Sequence, residues 1–546
     1  MATGAQAIVE LLEREGVDVC FGLPGVHNLA LWETLRDSPI RLVGVRHEQA
    51  AAYAADGYAR ATGRLGVALT TTGPGAANTL AAVGEAWAAR SAVLVIATDI
   101  PSALRRPGVY RGVLHETTDQ AAMFAPVVKA AHRALDREAV TAATTAALAD
   151  ARTAPHRPVY LEVATDLLGA EVGSAGAPTS GDDDMRVVRL HAPDAALDDA
   201  AARLAAAERP LIWAGTGARD AGDPLARVAE RLAAPVITTY GAAGVLPSSH
   251  PCLVGMPAHV APAGALWDEA DVVLSVGSDL DGVQTQNFAM PQPPTLVAVN
   301  LDAEDAAKNY RAEVVVEGDA ARVLGALADR LEGAAPDPDG LVRRLREVRA
   351  ESCATLDDRA LRFLDAMRFA LPDDAVVVAD MCIPGYWLGG FFTPPHPRRL
   401  QIPLGWGTLG YAFPASLGAA LAGTGPVVAV TGDGGFLFAC GELATVAQER
   451  IPLTTVIVDD GGYGMLRYDQ DVSGEARYGV DLHTPDFTAL AGAFGIRAEQ
   501  VDGLDDAFGE ALARHVADPE PSVLVASTPD PLVPPPNTSP NWYRKR

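Results

Sequence analysis

Two apolar, strand-like runs in the C-terminal third end in acid. VVAVTGDGG closes on Gly432-Asp433-Gly434-Gly435, and TTVIVDDGG closes on Asp459-Asp460. Glycine lets the backbone approach a ligand closely, and the start of the helix expected next, ACGELATVAQER, favours an anion such as phosphate. Asp433 would repel that anion unless a divalent cation lies between them. A hard cation such as Mg²⁺ takes a few protein oxygens together with phosphate oxygens. Asp460 follows Asp433 by 27 residues, one strand–helix–strand unit. That unit returns both carboxylates to the same carboxyl edge of a parallel sheet, where open α/β sheets bind ligands. Singly, each acidic strand end reads as a surface turn; as a pair at this spacing they read as a cation site.

A third carboxylate lies near the N-terminus. In RLVGVRHEQAAAYAADGYARATG, Glu48 stands where a strand passes into a helix. It is either a helix-start glutamate favoured by the macrodipole or a carboxyl at a strand mouth able to exchange a proton. Two Gly-rich strand ends share its segment, FGLPGVHN and LTTTGPGAAN. Three specialised strand ends in one sheet point to a ligand-binding edge.

The elements that must position these groups alternate strand and helix along the whole chain, the signature of parallel α/β domains. The first segment reads helix 5–15, strand 18–21, helix 27–36, strand 41–46, helix 48–62, strand 66–71, helix 76–90 and strand 92–97. Two linker-like stretches, GSAGAPTSGDDD (Gly173–Asp184) and EGAAPDPDG (Glu332–Gly340), divide the 546 residues. The expected domains are 1–172, 185–330 and 350–530, each a doubly wound parallel sheet. A net charge of −26 argues against nucleic acid or an anionic membrane as partner. The five cysteines form no CxxC pair, so neither a zinc site nor a disulfide framework is expected. Acids occupy the N-terminus where a signal peptide needs a basic region, and no run approaches eighteen apolar residues. A cytoplasmic protein is the default expectation.

A GDG strand end followed one βαβ unit later by a second polar strand end resembles the thiamine-diphosphate motif. GLPG, RHEQAAAYAADGYAR, TTTGPGAAN and GWGTLGYAFPASLGAA also resemble that family, in the matching order. The likeness is to the decarboxylase and acetolactate-synthase branch and spans about residues 5–530. It implies a pyrimidine-binding, a central and a diphosphate-binding domain. It also implies a homodimer at minimum, with a tetramer expected, in which two chains build each active site. Glu48 of one subunit would then meet Asp433 and Asp460 of its partner.

By the same resemblance, Glu48 promotes the imino tautomer of the cofactor's aminopyrimidine, which generates the ylide that attacks a 2-oxo acid. Asp433, Asp460 and the Gly462 carbonyl match the Mg²⁺ ligands. Leu409 matches the residue that wedges the cofactor into its V shape; without the motif it would read as a helix-core leucine. Pro24, Asn78, Gly407, Gly432, Gly434, Gly435, Tyr463, Gly464 and Met465 complete the expected cofactor contacts. The family's commoner pattern has two asparagines where this chain has Asp459-Asp460. Aspartate is at least as good a hard ligand, so metal binding is expected to survive. For Asp459 only a hydrogen bond to the loop suggests itself.

The residues bearing on the final chemical step depart from several relatives. YGMLRYDQ shares Gly464-Met465 and Arg467 with acetolactate synthases but has Asp469 where a tryptophan is common. SVGSDLDG lacks the arginine that those enzymes typically carry near Asp279. Leu466 replaces the glutamate of pyruvate decarboxylases and is more like benzoylformate decarboxylase. GLPGVHN and VLHETTDQ look most like decarboxylases of longer 2-oxo acids, including 5-guanidino-2-oxopentanoate decarboxylase. His115 could relay a proton in the product-forming step or be structural, and His27 could line the pocket or be a satisfied loop histidine. Val26, Thr71 and Leu466 are the other expected pocket residues. The implied function is thiamine-diphosphate- and Mg²⁺-dependent decarboxylation of a 2-oxo acid to an aldehyde. The alternatives are an acetolactate synthase-like carboligase that joins the enamine to a second carbonyl, and a silent cofactor-binding scaffold. Flavin (FAD) in the central domain is possible in such a fold and is not expected here.

Overall fold

The structure, a computed structural model, describes residues 2–173, 192–331, 338–403 and 405–545. Most of both linker-like stretches, 174–184 and 332–337, lies outside the described residues. Residues 338–340 are not linker: they open the helix Pro338–Cys353.

Three parallel sheets organise the chain. The first contains β1 (Val19–Gly22), β2 (Arg41–Gly44), β3 (Gly66–Thr70), β4 (Val93–Asp99), β5 (Ala130–Ala134) and β6 (Val159–Ala164), in the order β2-β1-β3-β4-β6-β5. The central sheet contains β7 (Pro210–Ala214), β8 (Val236–Thr238), β9 (Val272–Val276), β10 (Thr295–Asn300) and β11 (Val314–Glu317), in the order β8-β7-β9-β10-β11. The third contains β12 (Val376–Ala379), β13 (Leu400–Gln401), β14 (Val427–Gly432), β15 (Leu453–Asp459), β16 (Arg497–Asp502) and β17 (Ser522–Ser527). Its order is β13-β12-β14-β15-β17-β16, the same topology as the first sheet. Strands such as VVVA of β12 and the LIWA of β7 are unbroken, buried apolar runs, as expected of a parallel sheet covered on both faces. A two-residue antiparallel ribbon, Ala2–Thr3 with Glu171–Val172, joins the ends of the first segment.

In both outer sheets the chain leaves its first strand to one side and its third to the other. The crevice at that reversal, outside the carboxyl ends of the strands, is the ligand-binding position of this architecture. Leu23-Pro24 and Thr71-Thr72-Gly73 emerge there from the first sheet, and Asp380 and Asp433 from the third.

Four helices matter for the site: α1 (Glu48–Thr62), α2 (Ile383–Phe391), α3 (Ala412–Leu421) and α4 (Gly464–Ser473). Helix α1 is alanine-rich, favourable for helix and small enough for close approach. It ends at Gly63, whose φ of 74° suits the left-handed cap. Its contact with α3 is backbone to backbone. A Cβ on Gly57 would collide with the Ala415 carbonyl oxygen, and one on Gly418 with that of Ala54. Beside this crossing, buried Arg60 pairs with Asp56 at 2.7 Å and Glu85 at 3.1 Å. Arg60 also donates to the Ile402 carbonyl at 3.0 Å, and Glu85 accepts the Trp406 N–H at 3.1 Å. The first and third segments are thus locked together in one chain.

Two expected helices are broken. The helix expected over 76–90 is Pro74–Ala77 and Leu80–Ala88, interrupted at Asn78, whose side chain turns to Glu48. The helix expected after Asp433 comes as Asp433–Leu437, a 3₁₀ turn at Cys440–Glu442, and Leu443–Glu449. Gly434, Gly435 and Gly441 make a continuous helix costly there.

Candidate active site

Each chain carries two clusters of chemistry-bearing residues. The first gathers at the carboxyl edge of the first sheet. Glu48 is buried, and its Oε2 accepts the Asn78 Nδ2–H at 2.9 Å. A Cβ on Gly75 would sit 2.7 Å from Thr71 Cγ2 and 3.3 Å from Glu48 Oε1, so Gly75 keeps the carboxyl's other oxygen accessible. The turn leading into Glu48 is held from the third segment: Glu442, itself buried, accepts the N–H groups of Arg46 at 2.9 Å and His47 at 3.0 Å.

His27 and His115 meet edge-on, with ring centroids 5.3 Å apart. His27 Nδ1 lies 2.8 Å from Thr72 Oγ1, which in turn contacts Thr98 Oγ1 at 3.0 Å. Burial, and then the neighbouring His115, lower the His27 pKa, so its imidazole is neutral at pH 7. His115 holds a left-handed backbone, φ 65°, rare for a non-glycine residue, and its Nδ1 is buried without a partner among the described residues. Gly73 makes room for it, since a Cβ there would press on the His115 carbonyl and side chain. Pro24 and Val26 stand on the exposed rim, Val26 at 64% exposure.

The second cluster surrounds a cavity of about 270 Å³ at the carboxyl edge of the third sheet. All twelve expected residues from this half line it: Gly407, Leu409, the Gly432–Gly435 run, Asp460, and the Gly462–Leu466 run. Glu48 and the histidine pair are not among its lining residues. Asp433 Oδ2 and Asp460 Oδ1 are both buried with no hydrogen-bond partner among the described residues. Burial and the Asp460 charge push Asp433 up to about 7. Burial likewise pushes Asp460 up to about 6, opposed by Arg467. Two carboxylates that each present a buried oxygen without a hydrogen bond at one cavity, with Arg467 3.6 Å from Asp460 Oδ1 as the nearby cation, fit a hard divalent cation. The close turn needs its glycines: a Cβ on Gly464 would collide with Asp460 Oδ2, and one on Gly434 would lie 2.6 Å from the Tyr463 ring. The Gly462 carbonyl accepts the Gly464 N–H at 3.1 Å and keeps a second lone pair. Asp459 accepts the Gly461 N–H at 3.2 Å, which gives this aspartate the loop hydrogen bond expected of it.

Asp380, fully buried beneath the cavity, went unnoticed in the sequence. It accepts from Met381 N, Gly410 N, Ala412 N and Thr431 Oγ1 at 2.8–3.3 Å, tying the Gly407–Leu409 loop to the ends of β12 and β14. Glu442 and Glu85 were missed for the same reason. Glu442 holds the Arg46–His47 turn almost four hundred residues away and Glu85 joins Arg60 to Trp406, 321 residues on, and a lone acid in an apolar stretch gives no local signal.

These features together are those of a cofactor-binding protein, and comparison with known proteins agrees. Residues 2–123 match the thiamine pyrophosphate enzyme N-terminal TPP binding domain, 197–327 its central domain and 382–526 its C-terminal TPP binding domain. The chain belongs to the thiamine pyrophosphate enzyme family. Among relatives, "Probable 2-ketoarginine decarboxylase AruI" of Pseudomonas aeruginosa is 38% identical, covering 92% of this chain and 90% of the relative. "Probable acetolactate synthase large subunit" of Methanocaldococcus jannaschii is 31% identical, covering 95% and 91%. "Acetolactate synthase" of Bacillus subtilis is 27% identical, covering 93% and 91%. This member of the thiamine pyrophosphate family is therefore an enzyme of the decarboxylase and acetolactate-synthase branch, built on three α/β domains.

A larger cavity of about 810 Å³ opens at the carboxyl edge of the central sheet, between all three segments. Arg219 lines it, its pKa pulled down to about 9 by burial and by Arg398 and Arg60. Asp279, on the same wall, is held by Arg90 at 3.1 Å and Lys308 at 2.6 Å. No helix among the described residues is long and apolar enough to cross a membrane.

Proposed function

We propose that this enzyme decarboxylates a 2-oxo acid to an aldehyde, using thiamine diphosphate and Mg²⁺ at sites shared between two copies of the chain. The observation that carries the reading is the division of the machinery. Asp433 and Asp460 line the cavity of the third segment, whereas Glu48, held by Asn78 in the first, does not. A second copy related by a two-fold axis would bring one of each together twice over.

In that site Asp433, Asp460 and the Gly462 carbonyl would hold Mg²⁺, and Leu409 would support the ring system from below. When bound, the cofactor supplies an electron sink for the carbon that loses carbon dioxide. The chain's own groups do the rest. Glu48, oriented by Asn78, would hold and release a proton at its carboxyl beside the bound aminopyrimidine. Leu466 gives the reacting centre an apolar wall, and Met465 extends it. His27, neutral and oriented through Thr72, and His115 can move a proton at their ring nitrogens.

Release as an aldehyde is read ahead of joining to a second oxo acid because the cations that flank Asp279, Arg90 and Lys308, are both paired with Asp279 and Asp305. The acetolactate synthases among the relatives keep carboligation as the alternative outcome. A panel of 2-oxo acids incubated with holoenzyme should yield aldehyde and carbon dioxide by NMR. A 2-hydroxy ketone as the sole product would move the assignment to carboligase.

A further inference from the structure

His27 is half-buried at the carboxyl edge of the first sheet, and its two ring nitrogens meet different surroundings. Nδ1 lies 2.8 Å from Thr72 Oγ1, just beyond β3, and Thr72 Oγ1 lies 3.0 Å from Thr98 Oγ1 in β4. Both threonines are buried, at 0% and 1% exposure, and neither hydroxyl has a further partner among the described residues. The chain of hydroxyls is therefore unbranched and closed at Thr98. His27 Nε2 makes no hydrogen bond within the described residues and is not buried, so it is the nitrogen left for a ligand. It stands on the same edge as Glu48: the methyl of Thr71, next to Thr72, shares Gly75 with the Glu48 carboxyl. Buried Gln120 holds the two strand ends together, accepting the Gly73 N–H and donating to the Thr98 carbonyl at 2.9 Å.

A closed chain of hydroxyls has a direction, because each has one proton to place. If Thr98 donates to Thr72 and Thr72 to Nδ1, every buried proton in the chain finds an acceptor. Nδ1 then carries a lone pair, and the proton of the neutral imidazole sits on Nε2. In the reverse order Nδ1–H donates to Thr72 and Thr72 to Thr98, which leaves the Thr98 proton without an acceptor. A buried donor left unsatisfied disfavours that order by roughly tenfold or more. Imidazolium also needs a proton on Nδ1 and so forces the same reversal. Burial and the His115 charge lower the His27 pKa in the same sense, opposed by Asp99, itself paired with Arg105.

We infer that the Thr98–Thr72 chain fixes His27 as its Nε2–H tautomer, so that His27 donates a hydrogen bond to an oxygen of the bound 2-oxo acid and Thr72 is its positioning residue. This rests on the decarboxylase reading above. A donor held in place before the substrate arrives needs no reorganisation when negative charge develops on that oxygen.

The test reads the proton directly. In holoenzyme carrying nitrogen-15-labelled histidine, solid-state NMR at neutral pH separates protonated from unprotonated ring nitrogens, and the His27 signals are those missing from His27→Gln. The wild type should carry the proton on Nε2, with Nδ1 shifted as a hydrogen-bond acceptor. Thr72→Val should move the Nδ1 signal to that of an unbonded nitrogen and lower kcat/KM about tenfold. Thr72→Ser, which restores the hydroxyl, should return the Nδ1 signal and bring kcat/KM to within roughly threefold of wild type. Thr98→Val shortens the chain but keeps the donor to Nδ1, so the proton should stay on Nε2. A proton on Nδ1 in the wild type, or its transfer there in Thr98→Val, overturns the direction of the chain. Should Thr72→Val not fold, the wild-type and Thr98→Val spectra still decide that direction. Undiminished kcat/KM in a Thr72→Val protein whose Nδ1 has lost its hydrogen bond overturns the role in the reaction. If no 2-oxo acid is turned over, the decarboxylase reading falls and the role toward substrate falls with it, while the spectra decide the tautomer separately.

Discussion

Glu48→Gln should lower kcat by about 10³-fold, within the range lost when a positioned proton-transfer group is removed. The amide keeps the size of the side chain and can still meet Asn78, so the surrounding Thr71–Gly75 pocket has no reason to rearrange. What it lacks is an oxygen that can hold a proton and return it. Cofactor affinity, followed by quenching of intrinsic fluorescence, should therefore change far less than turnover. A variant with near wild-type kcat would remove Glu48 from the proton path and leave it as a helix-start acid. The helix does have another cap: the His47 side chain accepts the Gln49 N–H at 3.2 Å. A structural role at this position is thus already filled.

Asp433→Ala should abolish retention of Mg²⁺, with at least a 100-fold loss in metal affinity, as expected when one of few protein ligands is removed. The same pair makes a pH prediction. Burial raises the Asp433 pKa from 3.8 to about 7 and that of Asp460 from 3.8 to about 6 in the metal-free protein. A raised carboxyl pKa means that the folded state holds protons more tightly than the unfolded state. Metal-free stability therefore falls as pH rises from about 4 through about 7. Mg²⁺ competes with those protons, so its affinity should rise over the same interval and its binding should release protons. Chelation should accordingly lower Tm more at pH 8 than at pH 5.5, and Asp433→Ala should remove most of that difference. A chelation effect independent of pH would place the metal elsewhere.

The parts of this site legible in the sequence are those written locally. An apolar run that stops at Gly-Asp-Gly-Gly declares its own geometry, because buried parallel strands, glycine turns and acids at strand mouths are properties of neighbouring residues. Asp433, Asp460 and the glycines around them could thus be read as one cavity wall. The contributions of Asp380, Glu442 and Glu85 could not, because each acts on backbone N–H groups that the fold brings from elsewhere. Glu442 is nearly four hundred residues from the turn it holds. The breaks in the helices at Asn78 and after Asp433 were likewise hidden, since local helical periodicity does not reveal a side chain diverted to a distant carboxyl or a glycine pair beneath a cavity. The shared strand order of the outer sheets depends on crossovers that apolar runs alone do not specify.

The glycine-mediated crossing of α1 and α3 has a genetic consequence. It packs the helix that begins at Glu48 backbone to backbone against a helix of the segment that carries Asp433 and Asp460. On the two-chain arrangement proposed above, Glu48→Gln and Asp433→Ala are lesions in opposite halves of a site. Each homodimer is dead, yet a mixed pair concentrates both lesions in one site and leaves the other intact. Co-expression of the two inactive alleles should then restore roughly a quarter of wild-type activity if chains pair at random. Two alleles that stay silent together would instead mean that each chain works alone.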